Sequence, residues 1–443
     1  MIYNFQNTLS QDHQEINGGS MQKNAYKVKL IATKRGERLP VLFKRDGTLH
    51  YYATLYSTIK LRTKNRASHT MEISLRAIAI LYYFLDNEGI DLERQLSTGE
   101  FLSRPTLESL NRVSRLTMQN ITELSTPQKI HQREKVIHFE QFRRKVVPLS
   151  SSAEVSKKTA ALRQIYIKDY LLWMLEWFAH HNGTGVESFE WARDMTQRVL
   201  TSISVIGSRR SVDVSQGMSQ ESQKELFQII DPESNKNPWD HSFCRYRNNL
   251  LIQLLFHLGI RRGELLALQV RDLLFATKKI FIARRPDDLE DPRKYQPLAK
   301  TLPRSLPLED SLAEQLYAFI HQYRRETPNA KKHPFLFVSN FGNPLSLSGL
   351  SHVFAEIKAV SPRLLSDFSA HQLRHTWNDR FSQKMKDNGV PPAKEQYYRC
   401  RLMGWVPHSK MASVYTKRYV NEEAQRVVLE MQKDTIKFRK NNE

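Results

Sequence analysis

The sequence predicts a mainly α protein with a small β-sheet (α+β), built as a helical domain followed by a second, mixed domain. Three observations carry that reading. Apolar residues recur at three and four through two long stretches of the first half; apolar period is lost between Gly207 and Ser222; short β-prone runs then alternate with helical ones. A chain of 443 residues is long enough for sizeable hydrophobic cores.

In order, residues 1–24 are polar, rich in Asn and Gln, and predict a mobile arm. Val41-Leu42-Phe43 and Leu49–Tyr56 flank Arg45-Asp46-Gly47-Thr48, which predicts a β-hairpin because Gly accepts the positive φ of a tight turn. From Ser68 the period becomes helical: Met71, Leu75, Ile78, Leu81, Tyr82 and Leu85 share a face, and Gly89 marks the stop. A second helix is expected over 156–180, where Leu162, Ile165, Tyr166, Leu172, Trp173 and Trp177 interleave with Lys157, Lys158, Arg163 and Lys168. An aromatic stripe at that spacing reads as core, with the basic residues left facing outward. Lys129–Lys145 reads as a connection or short helix, and 207–222, rich in Ser, Gln and Gly, as a linker. Beyond it, 247–258 reads as a buried helix, 279–284 as a strand, 311–325 as a helix, 335–338 as a strand and 346–359 as a helix, with further helices to the end. The expected organisation is therefore an N-terminal arm and hairpin region (1–60), a helical domain (61–206), the linker (207–222) and a second domain (223–443).

Composition narrows the function. Forty per cent hydrophobic and 26% charged residues, with 16 Gly and 18 Pro, exclude a collagen-like or wholly disordered chain. Sixty-seven Lys plus Arg against 46 Asp plus Glu leave +21, which points to a polyanionic partner, nucleic acid first. The basic residues are spread along the chain instead of flanking an apolar anchor, and the run from Ala77 to Leu85 is about half of the roughly 20 residues a membrane span needs. No membrane partner is expected. Two cysteines close at most one bridge, and the N terminus lacks a basic, apolar signal pattern, so a cytoplasmic location is expected.

Four separated segments hold residue types able to break a phosphodiester without a metal. Gly259-Ile260-Arg261-Arg262-Gly263-Glu264-Leu265 follows the buried helix; Arg261 can present a bidentate guanidinium to phosphate and Glu264 can brace it. Lys300-Thr301-Leu302-Pro303-Arg304-Ser305-Leu306-Pro307-Leu308 offers a loop lysine able to protonate a leaving oxygen. In His371-Gln372-Leu373-Arg374-His375-Thr376, His371 and Arg374 stand three apart and share a helix face. Gly404-Trp405 precedes Tyr415, whose oxygen is a competent nucleophile toward phosphorus when cations ease its deprotonation. Each segment alone has a plainer reading, such as a capping salt bridge or a solvated lysine.

In this order, over about 155 residues, the four segments resemble the tyrosine recombinase family, also called phage integrases. The motifs span about 220–430; residues 60–205 are similar to the family's helical core-binding domain in position and period. The resemblance implies a recombinase or integrase in which Arg261 and Arg374 hold the scissile phosphate and Lys300 protonates the departing 5′ oxygen. His371 would assist proton transfer at the tyrosine, and Tyr415 would form a 3′-phosphotyrosyl link, with no metal, ATP or other cofactor. It also implies double-stranded DNA at specific sites as partner, a homotetramer on paired sites, nucleoid association, and accessory directionality proteins as a further partner class. Two features depart from the common pattern. Trp405 stands where His is frequent and can donate a hydrogen bond but not titrate; the spacing to Tyr415 is one residue longer, which leaves Tyr419 as a rival nucleophile. After Tyr415, Ala424, Val428, Met431 and Thr435 form a stripe that the resemblance reads as a helix exchanged between protomers. The alternatives are a type IB topoisomerase-like enzyme and a DNA-binding protein without cleavage activity.

Overall fold

In the computed structural model the chain is described over residues 25–124, 153–201 and 217–407, apart from 34, 35, 65, 183–185 and 298, and then at Ser409, Ala412, Tyr415 and 424–432. The expected N-terminal arm, the Lys129–Lys145 connection, residues 207–216 of the linker, Tyr419 and Thr435 lie outside the described residues. The fold is mainly α with two small sheets, and its contacts divide the chain into two units that part between Ser208 and Arg209.

The first unit opens with an antiparallel pair, β1 (Lys27–Ala32) and β2 (Arg38–Phe43), in which Lys27 faces Phe43 and Ala32 faces Arg38. The Asp-Gly turn follows β2: Asp46 Oδ1 accepts the Thr48 N–H at 2.8 Å and Gly47 takes φ +87°. The expected second strand does not form. After one bridge, Phe43 to Leu49, the chain enters helix α1 (Tyr51–Tyr56) and a π-helical turn, Ser57–Arg62. His50 caps α1 by accepting the Ala53 N–H, and burial of Ala53, Leu55 and Tyr56 along one side of the helix outweighs the β-propensity of the Tyr pair.

Helix α2 (Ser68–Glu88) is buried on almost every side from Ala77 to Leu85 and ends at Gly89, left-handed at φ +67°. Short helices α3 (Leu92–Ser97), α4 (Arg104–Val113) and α5 (Met118–Leu124) follow, then the long α6 (Lys157–Asn182) and α7 (Val186–Thr201). Leu39, Val41 and Leu42 of β2 join Leu75 and Ile78 of α2 and Tyr170 and Trp173 of α6 in one core. The Tyr82 hydroxyl donates to Glu93 at 2.7 Å and lies 2.8 Å from the Tyr170 hydroxyl, so these phenols are buried with partners. The α6 stripe is core at Trp173, whereas Leu162 and Ile165 near its start are exposed.

The cap at α1 makes this unit acid-sensitive. Burial first, and then Lys44, push the His50 imidazole from 6.5 down to about 3. Neutral His50 fits its acceptor role at a helix N-terminus; imidazolium does not. Because the folded pKa lies below the unfolded one, His50 costs no stability above pH 6.5, and stability is lost as pH falls from there toward 3. Replacing His50 with Asn, which keeps the cap but not the titration, is expected to lower the acid midpoint of the first unit in a circular-dichroism pH titration. An unchanged midpoint contradicts this account.

The second unit is organised around α9 (Ser242–Leu258), preceded by α8 (Gln220–Ile230) and followed by the short α10 (Arg262–Leu266). Strands β3 (Leu273–Leu274), β4 (Lys279–Ile282) and β5 (Arg304–Pro307) form an antiparallel sheet in that order. Then come α11 (Asp310–Ala318), α12 (Leu347–Val360), α13 (Ala370–Asp387) and α14 (Pro392–Met403). The expected strand at 335–338 is reduced to two isolated bridges, Gln269 to Phe335 and Val338 to Pro344. Leu251, Leu255, Ile280, Leu306, Leu316, Phe337 and Leu373 belong to one core, which fixes the ends of α9, β5 and α13. No described helix is long and apolar enough to cross a membrane. Cys244 and Cys400 are both buried free thiols.

Candidate active site

The end of α9 sets the first part of the site. Gly259 caps the helix in the left-handed region, φ +59°, and a Cβ there would lie 2.7 Å from the Trp377 ring. This turn delivers Arg261 to the start of α10, where its backbone N–H donates to Glu264 Oε2 at 3.0 Å. Its guanidinium is partly exposed and stands 3.6 Å from Glu264 Oε1, so Glu264 braces it at long range.

The principal partner of Glu264 is a residue the sequence reading left without a role. Arg304, at the start of β5, donates from Nη2 to Glu264 Oε2 at 2.9 Å, from Nη1 to Thr301 Oγ1 at 3.1 Å and from Nε to the Leu402 carbonyl at 2.6 Å. Thr301 in turn donates to Glu264 Oε1. Burial pushes the Glu264 carboxyl up, but Arg304, Thr301 and the Arg261 N–H together hold it below the usual carboxylate range. One buried ion pair therefore joins the Arg261 turn, the loop carrying Lys300 and the turn before Trp405. Gly404 completes the junction: φ is +65°, and a Cβ would meet Arg304 Nη1 at 2.7 Å and the Leu302 carbonyl at 2.8 Å. Lys300 itself is exposed, one residue ahead of Thr301.

Removing Arg304 strands a buried carboxylate. Arg304→Met is expected to destabilise the second unit by about 3–5 kcal/mol, the usual cost of breaking a buried pair from one side. Adding Glu264→Gln should recover a large part of the loss in urea unfolding of the full chain. A single variant as stable as the parent would show that the pair does not hold the junction.

Helix α13 supplies the second arginine. Arg374 is 3% exposed and donates from Nη1 to the Gly259 carbonyl at 2.5 Å. Its guanidinium lies 5.3 Å from the centre of the Trp405 ring. Burial first, and then the charge of Arg261, bring its pKa from 12.5 down to about 9. Both effects disfavour the charge on Arg374. Three buried donors make no hydrogen bond: Arg374 Nη2, Arg261 Nη1 and Trp405 Nε1. Buried donors are normally satisfied, so these three could serve the oxygens of an anionic group.

Tyr415 is 3% exposed and packs with Cys400, Met403, Trp405 and Ala412. Its ring stacks on Trp405 at 6.0 Å and 13° and lies under the Arg399 guanidinium at 5.6 Å. Burial raises the phenol pKa above 10, while Arg374, Arg399 and Arg261 oppose the rise. The phenol oxygen stands 3.1 Å from His375 Nδ1. His371, on the first turn of α13, is exposed and meets the His375 ring edge-on at 4.3 Å; burial, Arg374 and Arg261 hold its pKa below 6.5.

Arg261, Arg374, Trp405 and Tyr415 are thus brought together and Glu264 braces Arg261, while His371 is exposed against His375 and Lys300 is exposed one residue ahead of Thr301. His375, Arg304 and Arg399 complete the surroundings and were not singled out from sequence. Arg399 is wholly buried, donating to Asn378 Oδ1 at 2.7 Å and to Ser382 at 2.6 Å and paired with Glu395. Among the described residues no group of three or more His, Cys, Asp or Glu side chains is placed to hold a metal ion.

The arginine pair, the tryptophan and the buried tyrosine lie on the helical frame of the second unit, where residues 219–422 match the phage integrase family. That match covers a little under half of the chain and indicates the tyrosine recombinase, or phage integrase, family. Among curated relatives it is 27% identical over 176 residues to transposase A from transposon Tn554 of Staphylococcus aureus, covering 36% of this chain and 43% of that protein. It is 27% identical over 188 residues to a tyrosine recombinase XerC-like protein of Caldanaerobacter subterraneus, covering 39% and 46%. The chain spans about half the length of the curated relatives it matches. Among solved structures it is similar to XerH site-specific recombinase bound to palindromic difH substrate, at 16% identity and TM-score 0.41 over 79% of this chain and 96% of that one. XerA recombinase matches at 12% identity and TM-score 0.35 over 85% and 97%.

Proposed function

We propose that the chain is a site-specific DNA recombinase that cuts and rejoins double-stranded DNA through a 3′-phosphotyrosyl intermediate. The observation that carries this reading is the buried phenol of Tyr415 near donors of Arg374, Arg261 and Trp405 that make no hydrogen bond. A scissile phosphate seated on those donors has its developing charge met by two guanidiniums and an indole N–H, the preorganised arrangement that lowers the barrier to a five-coordinate phosphorus. The Tyr415 oxygen attacks phosphorus, the bond to the 5′ oxygen breaks, and Lys300 returns a proton to that oxygen from its loop. The phosphotyrosyl ester keeps the bond energy, so a 5′ hydroxyl from another strand reverses the step with no nucleotide cofactor.

Exchange between two duplexes takes four cuts and therefore four protomers. The helical segment 424–432 supports such an assembly: Val427, Val428, Leu429 and Met431 are between 50% and 64% exposed, an apolar surface suited to a neighbouring copy.

Covalent capture tests the reading. The full-length chain first selects duplexes from a randomised pool; these are then nicked just 3′ of each candidate bond, so that the short product diffuses away after cleavage. A protein–DNA adduct stable to denaturant is expected at one nick position. Duplexes that are bound but never trapped at any position would contradict it.

A further inference from the structure

Residue types suited to accept the phenolic proton occur twice on α13, at His371 and His375, and it is His375 that touches the phenol. The Tyr415 oxygen and His375 Nδ1 are 3.1 Å apart, within the reach a general base needs. Both side chains are buried, Tyr415 at 3% and His375 at 5% exposure, so bulk water does not compete for the proton in this arrangement. His371 meets the His375 ring edge-on at 4.3 Å and is exposed, within the field of Arg374 and Arg261. The hydrogen bond of the phenol is to His375.

We propose that His375 is a further catalytic residue, which receives the Tyr415 proton as the phenol oxygen attacks phosphorus and gives it back when the ester is reversed. The inference rests on the reading of Tyr415 as nucleophile. With the ring proton on Nε2, the phenol donates to Nδ1. As the O–P bond forms, the O–H bond breaks and its proton moves to Nδ1; as the P–O5′ bond breaks, the leaving oxygen takes a proton from the Lys300 ammonium. A base is needed here because burial disfavours free phenolate, and Arg374, Arg399 and Arg261 only partly offset that. The imidazolium formed is adjacent in sequence to Arg374, and the negative charge of the seated phosphate offsets that juxtaposition. His371 is then left as a donor to a nonbridging oxygen, while its edge-on contact orients the His375 ring.

The test separates the proton of the nucleophile from that of the leaving group. The full-length chain is assayed in single turnover on a nicked duplex with an ordinary scissile phosphate and on one whose bridging 5′ oxygen is sulfur, a leaving group that needs no proton. Lys300→Ala should be slow on the first and restored on the second. His375→Leu should be about 10²–10⁴-fold slow on both, the usual range for a lost general base. His375→Asn should be as slow, because its amide oxygen accepts the phenol hydrogen bond but does not take the proton. Duplex binding by His375→Asn, equal to the parent's, shows that the fold is kept and makes this variant decisive if His375→Leu does not fold. Full rate in His375→Asn, or rescue of His375 variants by the sulfur substrate, would overturn the proposal while leaving Tyr415 as nucleophile. An adduct in Tyr415→Phe would instead overturn the reading on which it rests.

Discussion

Tyr415→Phe is expected to bind duplex DNA like the parent and to form no covalent adduct. The substitution removes one oxygen from a ring otherwise fixed by Trp405 at 6.0 Å and by Arg399 at 5.6 Å, so its surroundings persist. The lost hydrogen bond to His375 is worth about 1 kcal/mol, a minor fraction of domain stability. Chemistry, in contrast, stops: phenylalanine has no atom to attack phosphorus, and Cys400, the other nucleophilic side chain packed with it, is a buried thiol. Denaturing gels of the trapped nicked duplex check this directly, and an adduct at parental yield would relocate the nucleophile.

Replacement of Arg374 has the next largest effect. Its two amino groups differ: Nη1 donates to the Gly259 carbonyl and Nη2 makes no hydrogen bond, which leaves it available to a phosphate in the proposed reaction. Lysine brings one charged nitrogen on a flexible stem and does not reproduce that fork, so Arg374→Lys is expected to lose about 10²–10³-fold in adduct formation, the scale of one lost transition-state donor. Alanine should lose more, because the Gly259 carbonyl and the charge site are vacated together. The rate of single-turnover cleavage at saturating enzyme measures it. A loss below tenfold for Arg374→Lys would mean that the guanidinium does not contact the reacting phosphate.

What could be read from sequence was local in origin. The helical period found α2 and α6, and the punctuating glycines at 89, 259 and 404 stand where helices end in the left-handed region. The motif residues could be picked out because each is a chemically distinctive type in a short run. What escaped was long-range. Arg304 meets Glu264 forty positions away and Leu402 nearly a hundred away, and in the sequence it is one more basic residue of the segment that offers Lys300. His375 meets Tyr415 across forty residues, and His371, three positions before Arg374, drew attention instead. Arg399 looked like one more basic residue on a basic chain, though it is wholly buried against Asn378, Ser382 and Glu395. The region after the Asp46-Gly47 turn went wrong for the converse reason. Its β-prone Tyr51-Tyr52 pair is local evidence, and a cap from His50 together with burial of Leu55 and Tyr56 decided the matter for a helix.

The central claim is that Tyr415 carries the DNA, and mapping the attachment site tests it most directly. Trypsin cleaves after Lys410, Lys417, Arg418 and Arg426, so Tyr415 falls in peptide 411–417 and Tyr419 in peptide 419–426. After capture on the nicked duplex, the DNA is digested to a short nucleotide remnant and the peptides are sequenced by mass spectrometry. The account predicts the remnant on the 411–417 peptide, linked through a 3′ phosphate to its tyrosine. A remnant on the 419–426 peptide, or on any residue outside 411–417, would contradict it.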